Sequence, residues 1–206
     1  MSDAPDQPTW PFPYHPSLFD ETDLDELATG HVVDTITDDE EPLAPINWNT
    51  LTAEQAQVAW LDLNSWVNWL RRAYGLSPKL IPPMWHRHDE LVWELSALHT
   101  HWLACYDPEA SPSAPTAWHR DFADARHRLR EWVASSGTGI SSDRPTRQSA
   151  WPGENPLPPS PAQDVVDRDA DFVRFIEEDI LARRDARRRA EANVADLRRH
   201  QRGGEP

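Results

Sequence analysis

The chain contains one cysteine, Cys105. That excludes an intramolecular disulfide and the small disulfide-stapled secreted folds, so a reducing compartment, the cytoplasm, is the expected setting. Glycine is scarce, with seven residues in all. None belongs to a glycine-rich loop of the kind that cradles phosphates, so nucleotide hydrolysis is not expected. No run of about 18 apolar residues occurs, so no membrane-spanning helix is expected. Residues 1–10 have neither a basic nor an apolar segment and do not read as a signal peptide. Basic side chains are missing from the first third: residues 1–46 hold twelve acids and no Lys or Arg, and the first is Arg71. No stretch alternates as a strand would, and no internal repeat is visible.

What the chain does have is tryptophan and proline. Nine of its eleven Trp residues lie between Trp48 and Trp132. Each buried indole side chain removes roughly 200 Å² from water, enough to stabilise a small core. The twenty Pro residues lie mostly outside the predicted helices. This composition divides the chain into four parts: a disordered, acidic, Pro-rich tail over 1–47, a Trp-rich helical domain over 48–135, a Ser/Pro/Gly linker over 136–163, and a long helix over 164–202. Within the tail, residues 20–27 alternate acids with Leu24 and Leu27, a pattern of segments that fold on a partner. Charge runs from one end to the other. Residues 164–182 carry seven acids and two Arg, whereas 183–206 carry eight Arg and four acids. Such asymmetry suggests an interaction tail or a contact between the ends.

Hydrophobic periodicity predicts three helices in the Trp-rich part. The first spans 52–74, with Thr52 as N-cap, Gln55 at the capping-box position and a stripe of Ala56, Ala59, Trp60, Leu63, Val67, Leu70 and Tyr74. Gly75 suits the position after its end. Pro78, Pro82 and Pro83 make the following connection stiff. The second spans 89–106, capped by Asp89, with Leu91, Leu95, Leu98, Trp102 and Tyr106 inward. The third spans 118–135, with Trp118, Phe122, Ala125, Leu129 and Trp132 inward. In 164–200 a heptad seam of Val166, Val173, Ile176, Ile180, Ala190, Val194 and Leu197 is interrupted by Asp169, Arg183 and Arg187, the pattern of a weak coiled coil. The expected class is all-α: a small three-helix bundle-like domain with a disordered N-terminal tail, a Pro-rich linker and a long C-terminal helix.

The most specific string is Pro82-Pro83-Met84-Trp85-His86-Arg87-His88-Asp89-Glu90-Leu91, followed by Trp93-Glu94-Leu95-Ser96-Ala97-Leu98-His99-Thr100-His101-Trp102. After the next prolines come Trp118-His119-Arg120-Asp121-Phe122 and Arg128-Leu129-Arg130-Glu131-Trp132-Val133. Together they resemble an uncharacterised domain-of-unknown-function family of high-GC Gram-positive bacteria, their plasmids and phages. The resemblance covers residues 48–134. It implies an accessory role in a plasmid, phage or conjugative-element setting and assigns no activity to any residue.

The candidate chemistry is concentrated in this string. His86, His88, His99 and His101 form a candidate metal set, since imidazole is the commonest zinc ligand. Geometry limits it: His99 and His101, two apart on a helix, point about 200° apart, and no HExxH or paired CxxC is present. The competing reading makes these rings structural, hydrogen-bonded at the edge of the core. Glu94, His101, Asp121 and Arg128 fall at the boundaries of the second and third inner faces and form a possible polar seam or site between them. Cys105 lies one turn after His101, within reach for a thiol–imidazole pair, although a buried inert thiol is the commoner outcome. Arg183, Arg184, Arg187, Arg188, Arg189, Arg198 and Arg199 on one helix are candidate phosphate contacts, opposed by interspersed acids and an overall charge of −15. Trp69 and Trp93 fall off the inner stripes and mark a candidate partner surface. The leading functional expectation is a non-enzymatic accessory protein with a protein partner. A nucleic-acid-binding factor and a metal-binding domain or metalloenzyme are the alternatives; no other cofactor is indicated.

Overall fold

A computed structural model describes residues 43–146, 149–155, 158 and 160–202. Residues 1–42 of the acidic tail, including the acid–hydrophobe stretch 20–27, lie outside the described residues. The class is all-α, with four α-helices and one two-residue strand pair among the described residues.

Helix α1 spans Ala53–Ala73 and starts on the reciprocal capping box: Gln55 N–H donates to Thr52 Oγ1, and Thr52 N–H donates to Gln55 Oε1. Its buried face is Ala53, Ala56, Trp60, Leu63, Trp66, Val67 and Leu70. Beyond its C-cap, Tyr74, Gly75 takes φ +58°, the left-handed conformation that lets the chain leave the helix. A Pro-rich connection leads into a 3-10 turn, Trp85–Arg87, and then α2, Asp89–Cys105. The N-cap of α2 is His88 rather than Asp89. No side chain caps it, because the His88 ring is engaged elsewhere.

Helix α3, Ala114–Ser136, begins four residues before the predicted Trp118. Pro115 caused the difference: it reads as loop, yet in the first turn of a helix its missing N–H has no partner to lose. Gly137 ends α3 with φ +82°. A strap then folds back, and Ser142–Asp143 (β1) pairs antiparallel with Gln163–Asp164 (β2), Ser142 opposite Asp164 and Asp143 opposite Gln163. Helix α4 runs from Arg168 to Arg202.

In this arrangement α1 packs against both α4 and α2, and α2 packs against α3. The linker and last helix of the sequence reading belong to the same packed unit as the Trp-rich helices. Phe172, Ile176 and Ile180, four apart, bury one stripe of α4 in the common core. Ile176 and Ile180 are members of the predicted seam, but Val166, Val173 and Val194 face solvent, and Phe172 takes the inward position ahead of Ile176. Three of the buried indoles satisfy their N–H groups on other segments, Trp48 on Ser96 Oγ, Trp60 on Asp179 and Trp118 on the Leu98 carbonyl. These three donors are therefore paired, whereas Trp66 Nε1 is buried without a hydrogen-bond partner among the described residues.

Candidate functional site

The Pro82–Pro83 step and the short 3-10 turn lead into His86 and His88, both buried, on either side of the half-buried Arg87 in the chain. Both rings are fully buried, yet their surroundings differ. His86 sits edge-on to Phe172 and Phe175, each 5.2 Å away. Its Nε2 lies 2.9 Å from Asp171 Oδ1. The same carboxylate takes both Nε (2.7 Å) and Nη2 (2.8 Å) of Arg87 and a bond from Arg174. Burial acts to raise the Asp171 carboxyl, but the Arg87 and His86 hydrogen bonds outweigh it and hold it well below the usual carboxylate range. Burial pushes His86 down to about 4; the Asp171 hydrogen bond opposes this, and the charges of Arg168 and Arg87 reinforce it. His86 is therefore neutral, with its one proton on Nε2 donating to Asp171. Its Nδ1 is buried with no hydrogen-bond partner among the described residues.

His88 has both nitrogens engaged. Nε2 lies 2.8 Å from Asp143 Oδ1 on the strap, and Nδ1 lies 2.9 Å from Thr146 Oγ1. Thr146 in turn donates to Glu90 Oε1 at 2.7 Å. Asp143 stays below its ordinary value: burial raises it, and the hydrogen bond from His88, helped by the Arg87 charge, takes it lower. The two histidines thus clasp two remote segments, the strap and the first turns of α4, onto the start of α2. A pocket of about 270 Å³ lies at this junction, lined by Met84, Arg87, Asp143, Asp164, Asp171 and Arg174 among others.

The candidate metal set is not brought together. His86, His88 and His101 each serve a different carboxylate. His99 stacks on Trp66 at 4.9 Å, with Asp62 3.7 Å from its Nδ1, and its burial pushes its pKa down. Among the described residues no group of three or more His, Cys, Asp or Glu side chains has a geometry able to hold a metal ion. The polar seam resolves into two pairs across α2 and α3: His101 Nε2 to Asp121 at 3.1 Å, and Arg128 forked onto Glu94 with its closest contact at 2.6 Å. Asp121 and Arg128 are largely exposed, so solvent screens both pairs and neither holds α2 and α3 together strongly. Cys105 Sγ is 3.6 Å from His101 Nδ1 and 3.9 Å from Nε2. Near-equal distances place the sulfur over the ring face, not along a nitrogen lone pair, so the imidazole is not positioned to take the thiol proton.

Most of the arginine set is paired within the chain. Arg183 binds Asp179 and the carbonyls of Trp48 and Leu51, tying the start of the folded chain to α4. Arg184 meets Glu54, Arg187 meets Glu191, Arg188 meets Asp185 and Arg199 meets Asp196. Arg189 is exposed without an ion pair among the described residues; the side chain of Arg198 lies outside them. Of the two candidate surface indoles, Trp69 is packed, with rings of Trp66, Tyr74 and Trp102 within 6.4 Å, whereas Trp93 is 39% exposed.

Sequence reading missed Arg87, Asp143, Thr146 and Asp171. Their partners lie 55 to 85 residues away, and neither Asp sits in a motif of its own. The signal that was present is the alternation His86-Arg87-His88 beside two prolines, a rigid turn carrying three hydrogen-bonding side chains. Comparison with protein-family models, with curated proteins and with solved structures finds no match to this chain.

His86 sets an acid limit on stability. Its unfolded ring titrates near ~6.5, and in the fold the ring is held at about 4. Above the unfolded value both states are neutral and this contribution is complete. As pH falls between the two values, the unfolded chain takes up a proton that the folded chain refuses, and stability declines by up to ~3 kcal/mol. His99 acts in the same sense, and Asp171 extends the decline to lower pH. Urea denaturation across that range should show this slope, and His86→Phe should reduce it by about half; an unchanged slope would remove His86 as its origin.

Proposed function

We propose that this chain is a non-enzymatic accessory protein whose helical body docks on a protein partner through the outer faces of α2 and α3. The observation that carries the reading is the exposure of Trp93 (39%) and Trp132 (44%) on these adjacent helices; spacing put Trp132 on the inner face of α3, but Val133 takes the buried position there. Neither indole makes a ring contact among the described residues, although most other Trp side chains there are packed into the aromatic core. Large exposed indoles are uncommon on surfaces without a partner and are enriched in interface hot spots. A second support is chemical. Among the described residues, His86, His88 and His101 of the His-rich string each pair with a carboxylate, as Glu94 does with Arg128, and these pairs fasten segments of the fold together, which supports a structural use of the string. Pairing of the arginines on α4 likewise favours a protein partner over a phosphate backbone.

The test is co-purification from the native cell, comparing the full chain with Trp93→Ala/Trp132→Ala. The expected result is a stoichiometric protein partner bound by the first and lost from the second at equal thermal stability. Each hot-spot indole is expected to contribute ~2 kcal/mol, about 30-fold in affinity. A partner retained equally by both chains, or none at all, overturns the proposal.

A further inference from the structure

The hydrogen bonds around His88 can be counted proton by proton. Thr146 has one hydroxyl proton, and Glu90, an acceptor as a carboxylate, takes it at 2.7 Å. The bond between Thr146 Oγ1 and His88 Nδ1 must then be donated by the ring. On the other side of the ring, Asp143 Oδ1 at 2.8 Å is also an acceptor. Both ring nitrogens face acceptors, so both need a proton. A neutral imidazole has one N–H, and with it one of these contacts would set lone pair against lone pair at hydrogen-bond distance on a buried ring.

We propose that the strap 137–146 is a proton-dependent latch, closed on α2 by a doubly protonated His88 and released when that proton is lost as pH rises. The groups facing the ring fit a cation. Asp143 from the strap and Glu90 from α2, the latter 3.9 Å from Nδ1, supply two negative charges. Arg87 on the adjoining turn is committed to Asp171. Arg144 of the strap reaches back over Gly137, where an added Cβ would lie 2.5 Å from its Nη2. Asp143 is held ionised, which leaves the ring as the seat of the proton.

The rest of the strap is attached lightly. Its remaining backbone ties to the rest of the chain are the two-residue pairing with 163–164, Val165 N–H to the Ser141 carbonyl and Thr138 N–H to Ser136 Oγ, while Gly139 N–H to the Ser142 carbonyl closes a turn within the strap. The His88 bonds therefore dominate its attachment. Opening the strap would withdraw Asp143 from the wall of the 270 Å³ pocket and expose the start of α2. His86, on the other side of Arg87, responds in the opposite direction, since its fold requires the neutral ring.

Hydrogen exchange of the full chain tests this, with rates in 137–146 corrected for the intrinsic pH dependence of exchange. Where the ring is protonated in the closed strap and not in the open one, one proton is released per opening and protection falls tenfold for each pH unit of rise, with α1 serving as the unchanged reference. In Asp143→Asn the amide can turn its NH₂ toward a bare Nε2, so the strap stays docked with a neutral ring and the pH dependence disappears. Wild-type protection that does not vary with pH overturns the latch, as does an Asp143→Asn chain that keeps the tenfold slope. Should that variant not fold, ¹⁵N spectra of the wild-type ring decide. Two proton-bearing nitrogens on the acidic side of the transition support the proposal, and a single neutral tautomer throughout overturns it.

Discussion

Replacing Trp60 by alanine is expected to cost ~4 kcal/mol, within the range for deleting a buried aromatic from a packed core. The indole is buried at the meeting of four segments. Its ring lies 4.2 Å from Trp48, 6.3 Å from Trp85, 5.2 Å from Phe175 and 6.4 Å from Phe172. Its N–H donates to Asp179 on α4 at 3.0 Å. The substitution opens a cavity that α1 and α4 cannot both collapse into, and it removes one of the hydrogen bonds that Asp179 accepts. Since most domains are stable by only about 5–15 kcal/mol, such a loss can be a large part of the total. It should fall first on α4, whose core stripe of Phe172, Ile176 and Ile180 depends on this ring for its near wall. Urea denaturation measures the cost, and amide exchange along α4 locates it. Trp93→Ala, exposed and outside the core, should change stability by about 0.5 kcal/mol or less. Equal effects for the two would remove Trp60 from the centre of the fold.

The role of Trp60 was half legible in the sequence. Its place on the inner stripe of α1 followed from spacing, and the Thr52–Gln55 capping box fixed where that helix starts. What spacing could not give was the partner. Phe172 and Ile176 lie more than a hundred residues further on, beyond a Pro-rich stretch whose composition reads as linker. Composition reports the cost of ordering a segment and not whether remote side chains offset it. The same limit explains the strap. Ser, Gly and Pro in 136–163 argue against helix and strand, and among the described residues only the end of α3 and the two-residue strand pair depart from that, yet Thr138 and Asp143 are buried there and His88 holds Asp143 in place. The pairings His101–Asp121 and Glu94–Arg128 could be placed on facing helices from the wheel alone, because a short connection fixes α2 and α3 as antiparallel neighbours. The His86–Asp171 and His88–Asp143 pairs had no such guide.

The second large effect is expected at Asp171. This carboxylate gathers His86, Arg87 and Arg174 at one point, so Asp171→Ala strands a buried imidazole N–H and a guanidinium that lost both of its bonds. Breaking a fully buried ion pair by removing one partner costs about 3–5 kcal/mol. Here Arg87 is 31% exposed and Arg174 60%, so water can reach part of what is stranded, and the lower end, ~3 kcal/mol, is expected. Asp171→Asn separates the two contributions. It keeps an oxygen that can accept from His86 or Arg87 while removing the charge, and should lose about half as much. If the clasp worked by charge alone, alanine and asparagine would be equally damaging. If it worked by packing, neither would matter, because Phe172 and Phe175 would hold His86 unaided. Hydrogen-bond satisfaction alone orders the three chains as wild type, asparagine, alanine. A double-mutant cycle with Arg87→Met then measures the guanidinium's share directly, and a coupling near zero would place the stability of α4 in its apolar stripe instead.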